Sequence, residues 1–192
     1  MLLSILPQDI ELTPERQKTL AHSKTVANAA KLIAEKTSHL DPEKAYGFGL
    51  MHDIGKFYLE KSEYYKHPLW GYRLLLEKQP ETAVICLTHA FLDFESYDHI
   101  LSFCHDDQYE ADEIIRILKT VSPDDYIGLI QLCDKLSGLN NYVTIEEKLE
   151  WYQNTSGISK EALESYYLKH LCDLKSKFDK LTGDDIYSIL GM

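Results

Sequence analysis

Three times along the chain a small polar residue or an acid is followed at once by a proline and a second acid: Thr13-Pro14-Glu15, Asp41-Pro42-Glu43 and Ser122-Pro123-Asp124. In each, the first side chain can accept from the free amides of a first helical turn. The proline's missing N–H costs nothing at the first helical position, and the acid suits the positive end of the helix dipole. A chain punctuated this way is committed to helices. Ser159 and Thr182 offer further N-caps. Helical apolar spacing between these signals predicts helices over 14–38, 42–53, 66–78, 80–91, 97–105, 110–119, 123–139, 144–154, 160–180 and 183–190. The stretch ETAVICLTHAF (81–91) has enough β-branched residues to compete as a strand, but no alternating run of useful length accompanies it. The expected fold class is therefore all-α, with no internal repeat and no low-complexity segment. The best seam lies at Asn140–Tyr142 with Val143 and Thr144, dividing a domain over 1–142 from a C-terminal helical extension over 143–192 packed on it.

Several of these helices carry groups that do not belong in an apolar core. His22 is followed by Val26, Ala29, Ala30 and Ile33 on its own inward stripe. His52 follows Ala45 and Phe48 by seven and four residues, and Asp53 comes next. Asp134 follows Ile127 and Ile130 with the same spacing. A carboxylate on an inward face is costly unless it is paired, hydrogen-bonded or metal-bound. A divalent ion would account for all of them together, and imidazole with carboxylate suits zinc, iron, manganese, cobalt or nickel.

Composition narrows the partners. The formal net charge of −11 repels polyanions, so sequence-independent nucleic-acid binding is not expected. No apolar run approaches the roughly 18 residues that cross a bilayer. The start, MLLSILPQDIELTPER, lacks the basic region of a signal peptide. The four cysteines form no C-x-x-C pair and read as reduced thiols, which points to the cytoplasm. The oligomeric state stays open.

The order His22, then Met51-His52-Asp53-Ile54-Gly55-Lys56, then Cys133-Asp134-Lys135 resembles the signature of the HD-domain metal-dependent phosphohydrolase superfamily, over about residues 20–140. The segment Lys66-His67-Pro68-Leu69-Trp70-Gly71 is similar to the His-Pro stretch of the HD-GYP branch. His89 in Leu87-Thr88-His89-Ala90 falls where such families carry another metal-binding histidine. The branch's His-His-Glu stretch and Gly-Tyr-Pro element are absent from this sequence. The order also resembles two-metal diadenosine tetraphosphate hydrolases. The resemblance implies a single HD-type helical bundle and a metal-dependent phosphohydrolase. It implies two divalent ions, iron or manganese first, with magnesium, zinc, cobalt or nickel as alternatives. His22, His52 and Asp134 would hold one ion, His67 and His89 the other, and Asp53 would bridge them.

On this reading metal-activated water attacks a phosphoester or phosphoanhydride of a nucleotide or similar small phosphorylated compound. Asp53 and Lys56 are then the catalytic residues, with Lys56 offsetting phosphate charge or else capping its helix; Lys135 is a weaker candidate. The alternative is a non-catalytic HD-type metal- or nucleotide-binding signalling module, as in the HDOD-type relatives. His99 and His105 are expected at the surface or the pocket mouth, and His39 and His170 at the surface. The C-terminal helices carry little of chemical interest on this reading.

Overall fold

The computed structural model describes residues 10–92, 97–155 and 167–192. Its helices are α1 (Pro14–Ala34), α2 (Pro42–Met51), α3 (His67–Leu75), α4 (Pro80–Thr88), α5 (Tyr97–Phe103) and α6 (Gln108–Leu118). They continue as α7 (Asp125–Lys135), α8 (Ile145–Thr155), α9 (Lys169–Thr182) and α10 (Ile186–Ile189). Two 3₁₀ helices, Ile54–Tyr58 and Lys61–Lys66, link α2 to α3 and were not foreseen. Among the described residues the fold is all-helical. Its only extended pairing is an isolated bridge between Ser137 and Tyr142, and the stretch that competed as a strand forms α4.

The capping signals act at two of the three sites expected. Thr13 Oγ1 accepts from the Arg16 amide, and Asp41 accepts from the amides of Glu43 and Lys44. At the third site the helix starts later. Asp124 itself is the cap, with extended backbone, and accepts from the Ile127 amide at 2.9 Å. A carboxylate so placed outcompetes Ser122. Thr182 is not a cap either. Gly183, in the left-handed region at φ 71°, ends α9 behind it, and Asp185 caps α10. Ser159 lies outside the described residues. Helix α8 opens with a reciprocal capping box: Thr144 Oγ1 accepts from the Glu147 amide, and Glu147 Oε2 accepts from the Thr144 amide.

Two glycines set how closely elements approach. A Cβ on Gly49 would lie 2.6 Å from Ala27 Cα, so α2 rests on the backbone of α1. A Cβ on Gly55 would lie 2.1 Å from the His67 carbonyl oxygen. That contact presses the first 3₁₀ helix against the start of α3, bringing His67 beside Asp53.

The main core cluster runs from Val26, Ala30 and Ile33 of α1 through Ile127 and Ile130 of α7. Leu149, Leu171, Phe178 and Ile186 from the C-terminal helices share it, so these helices bury their apolar faces in the same interior. Two smaller clusters flank it, one around Met51, Ile54 and Phe57 and another around Leu69, Leu87 and Ile114. Among the described residues no helix is long and apolar enough to cross a membrane.

Candidate functional site

Five of the six residues singled out as metal ligands sit at or near a helix end. His52 follows the last residue of α2, Asp53 stands between α2 and the first 3₁₀ helix, and His67 opens α3. His89 follows α4, and Asp134 lies in the last turn of α7. His22 alone projects from mid-helix, on α1.

Each imidazole is held from behind by a backbone carbonyl. His22 Nδ1 is 3.0 Å from Gly138 O, and His52 Nδ1 is 2.7 Å from Gly49 O. His67 Nδ1 is 2.5 Å from Tyr64 O, and His89 Nδ1 is 3.3 Å from Ile85 O. A carbonyl oxygen only accepts, so each Nδ1 donates, and all four Nε2 atoms turn inward.

The six residues converge. His22 Nε2 is 2.9 Å from Asp134 Oδ1, and His52 Nε2 is 3.8 Å from the same oxygen. Asp53 lies at the centre, with Oδ2 3.5 Å from His52 Nε2 and Oδ1 3.0 and 3.4 Å from His67 and His89 Nε2. The last two nitrogens are 3.0 Å apart. His52 Nε2 and Asp53 Oδ1 are buried without a well-formed hydrogen bond.

Both carboxylates are neutralised by lysines of the chain itself. Lys56 Nζ is 2.6 Å from Asp53 Oδ2, and Lys135 Nζ is 2.5 Å from Asp134 Oδ2. Burial opposes the charge on Asp53, but the Lys56 ammonium above all outweighs it and holds the carboxyl well below its ordinary range. Asp134 is held low in the same way, against burial, by Lys135 and His22. Asp134 in turn overcomes burial to raise the Lys135 ammonium. Burial pushes His52 down to about 3 and His67 down to about 4, the latter helped by Lys56, so both rings are neutral near pH 7.

Donor atoms able to hold a cation meet in three overlapping triads among the described residues: His22, His52 and Asp53; His52, His89 and Asp134; and Asp53, His67 and His89. The cluster floors a cleft of about 1460 Å³, which His22, Asp53, Lys56, His67, His89 and Asp134 all line. His52 lies behind them, fully buried.

The cleft also holds residues that the sequence did not single out. Helix α8 contributes Glu147, Lys148, Trp151 and Tyr152, and Tyr167 joins them. Lys148 Nζ donates to the carbonyls of Ser137 at 3.1 Å and Asp134 at 3.4 Å. Its capping box and the i, i+3, i+4 spacing of Lys148, Trp151 and Tyr152 were the legible signals for this wall. His99 and His105 line the cleft too, His99 bonded to the Tyr167 hydroxyl and His105 stacked on Tyr65 at 4.0 Å. Of the two histidines expected at the surface, His39 pairs with Asp125 at 2.6 Å, and half-buried His170 reaches the Gln131 side chain.

Comparison with protein-family models finds the HDOD domain over residues 1–82. Neither curated proteins nor solved structures yield a match. HDOD domains are the non-catalytic relatives of the HD hydrolases, so the match overturns the expectation of an active phosphohydrolase. It equally overturns the two-ion cofactor of iron, manganese or another divalent metal. The structure supplies a physical counterpart to that correction: the carboxylates meant to bridge and anchor the ions are instead charge-balanced by Lys56 and Lys135. His22, His52, Asp53 and His67 fall within the matched residues, whereas His89, Asp134 and α8 fall beyond them. Over residues 1–82, under half of its length, the chain is therefore similar to the HDOD domain, which is related to the HD superfamily, and the match is not specific to the catalytic phosphohydrolase branch.

Proposed function

We propose that this chain is a non-catalytic HD-type signalling module whose cleft takes up a small anionic ligand of the phosphorylated class. The observation that carries the reading is the pairing of both central carboxylates with lysines, above a match to a non-catalytic domain type. The histidine and aspartate cluster then works as the polar floor of a binding cleft. Its charge fits an anion: five lysines against four carboxylates line the cleft, in a protein of net charge −11. Free thiols at all four cysteines are in keeping with a cytoplasmic setting.

The test joins turnover to binding. The full chain is incubated with a panel of generic phosphomonoesters, phosphodiesters and nucleotides, and product is measured beside thermal unfolding. The expected result is no turnover above that of Asp53→Ala, with a raised unfolding midpoint in the presence of phosphorylated compounds. Turnover that Asp53→Ala abolishes would overturn the reading.

A further inference from the structure

We infer that helix α8, outside the family match, is a recognition wall for a ligand that joins a planar aromatic ring to an anionic group. The inference rests on the reading of the cleft as an anion-binding site and gives that site its selectivity.

Two side chains carry it. Lys148 is half-buried and faces the cleft, yet it pairs with no carboxylate among the described residues. Its partners are two carbonyl oxygens, one in the last turn of α7 and one just past its end, which orient the ammonium without cancelling its charge. The other cleft lysines next to the cluster, Lys56 and Lys135, are already committed to Asp53 and Asp134. Lys148 thus stands beside the cluster as a cleft cation whose charge no carboxylate among the described residues cancels.

Trp151 stands one turn further along α8. It lines the cleft but remains 55% exposed, which is unusual for the largest apolar side chain a protein has. The Lys148 ammonium is 5.7 Å from the centroid of the Trp151 ring and 5.7 Å from that of Tyr152. A second ring stacked on the open face of Trp151 would therefore carry an attached anionic group within reach of Lys148. Aromatic stacking is tolerant of ring type, and the ammonium favours phosphate or carboxylate, so the class is an anionic aromatic metabolite. Both residues sit on one helix, one turn apart and tied at its start by the capping box. Their spacing is therefore fixed before any ligand arrives.

The experiment is calorimetric titration of the full chain with three probes: ADP for ring and anion together, adenosine for the ring alone, and inorganic pyrophosphate for the anion alone. EDTA is present throughout, so that no trace cation bridges phosphate to the cluster. ADP is expected to bind at least tenfold more tightly than either fragment. Trp151→Ala should weaken ADP about tenfold and leave pyrophosphate unchanged. Lys148→Met should weaken both anionic probes, with Lys148→Arg restoring them. Pyrophosphate binding as tightly as ADP, with Trp151→Ala silent, would overturn the recognition wall and leave the anion-binding reading standing. Failure of all three probes to bind would remove both.

Discussion

The floor of the cleft and its α8 wall handle charge in opposite ways. On the floor both carboxylates have a close cation, Lys56 on Asp53 and Lys135 on Asp134, and four imidazoles are each anchored to a carbonyl, with only His52 Nε2 and Asp53 Oδ1 short of a well-formed hydrogen bond among its described atoms. On the wall Lys148 rests on carbonyls alone, and Trp151 is left half in solvent. A network that is balanced from within holds its shape; a wall with unspent charge and an open ring face can still respond to something that arrives. The same cleft therefore has a region built for stability and a region built for recognition.

The contrast is sharpest where the floor loses one partner. Asp134→Ala leaves the Lys135 ammonium, 6% exposed, without its carboxylate. The expected loss is about 3–5 kcal/mol in urea unfolding, because a buried charge is then uncompensated. A loss under about 1 kcal/mol would show that the floor is not held by this pair. Next in size come the glycine contacts that bring the floor together. Gly49→Ala and Gly55→Ala each drive a Cβ into backbone, and each should cost about 1–3 kcal/mol by the same measurement.

Acid should unsettle the floor over a defined window. His52 and His67 are neutral in the folded chain down to about 3 and about 4, whereas an unfolded histidine takes its proton near 6.5. Below that value the unfolded state binds more protons, so stability falls as pH drops from about 6.5 towards 4. The two lowered carboxyls add a further loss once pH drops below the ordinary carboxylate range. Each histidine contributes a slope of at most about 1.4 kcal/mol per pH unit, and His67→Gln should flatten the profile measured by urea titration at several pH values. The smallest effect belongs to the wall. Trp151→Ala should change unfolding free energy by less than about 0.5 kcal/mol, and a larger change would mean that the indole is structural.

Much of the fold was legible because its signals are local. The Thr13 and Asp41 caps and the helical apolar spacing depend only on near neighbours. At Ser122 and Thr182 two polar residues competed, and the winner was set by backbone geometry that spacing does not carry. The 3₁₀ links at 54–58 and 61–66 escaped because they are too short for a period to emerge. In the site, inward-facing polar residues on apolar stripes pointed to His22, His52, Asp53 and Asp134, and the family resemblance added His67 and His89. Their fate was not legible, because Lys56 and Lys135 pair with carboxylates in ways that motif resemblance does not reveal. Lys148 and Trp151 were passed over because a lysine and a tryptophan on an acidic helix look like ordinary surface until the cleft opposite them is seen.

The C-terminal end of α7 and the turn that follows it serve two masters. His22 and Thr25 of α1 bond to the carbonyls of Gly138 and Leu139, while Lys148 of α8 bonds to those of Asp134 and Ser137. A few peptide units thus form a common rocker between the first helix and the eighth. A shift of the lysine toward a bound anion would therefore be passed through these carbonyls to His22, on the far wall of the same cleft.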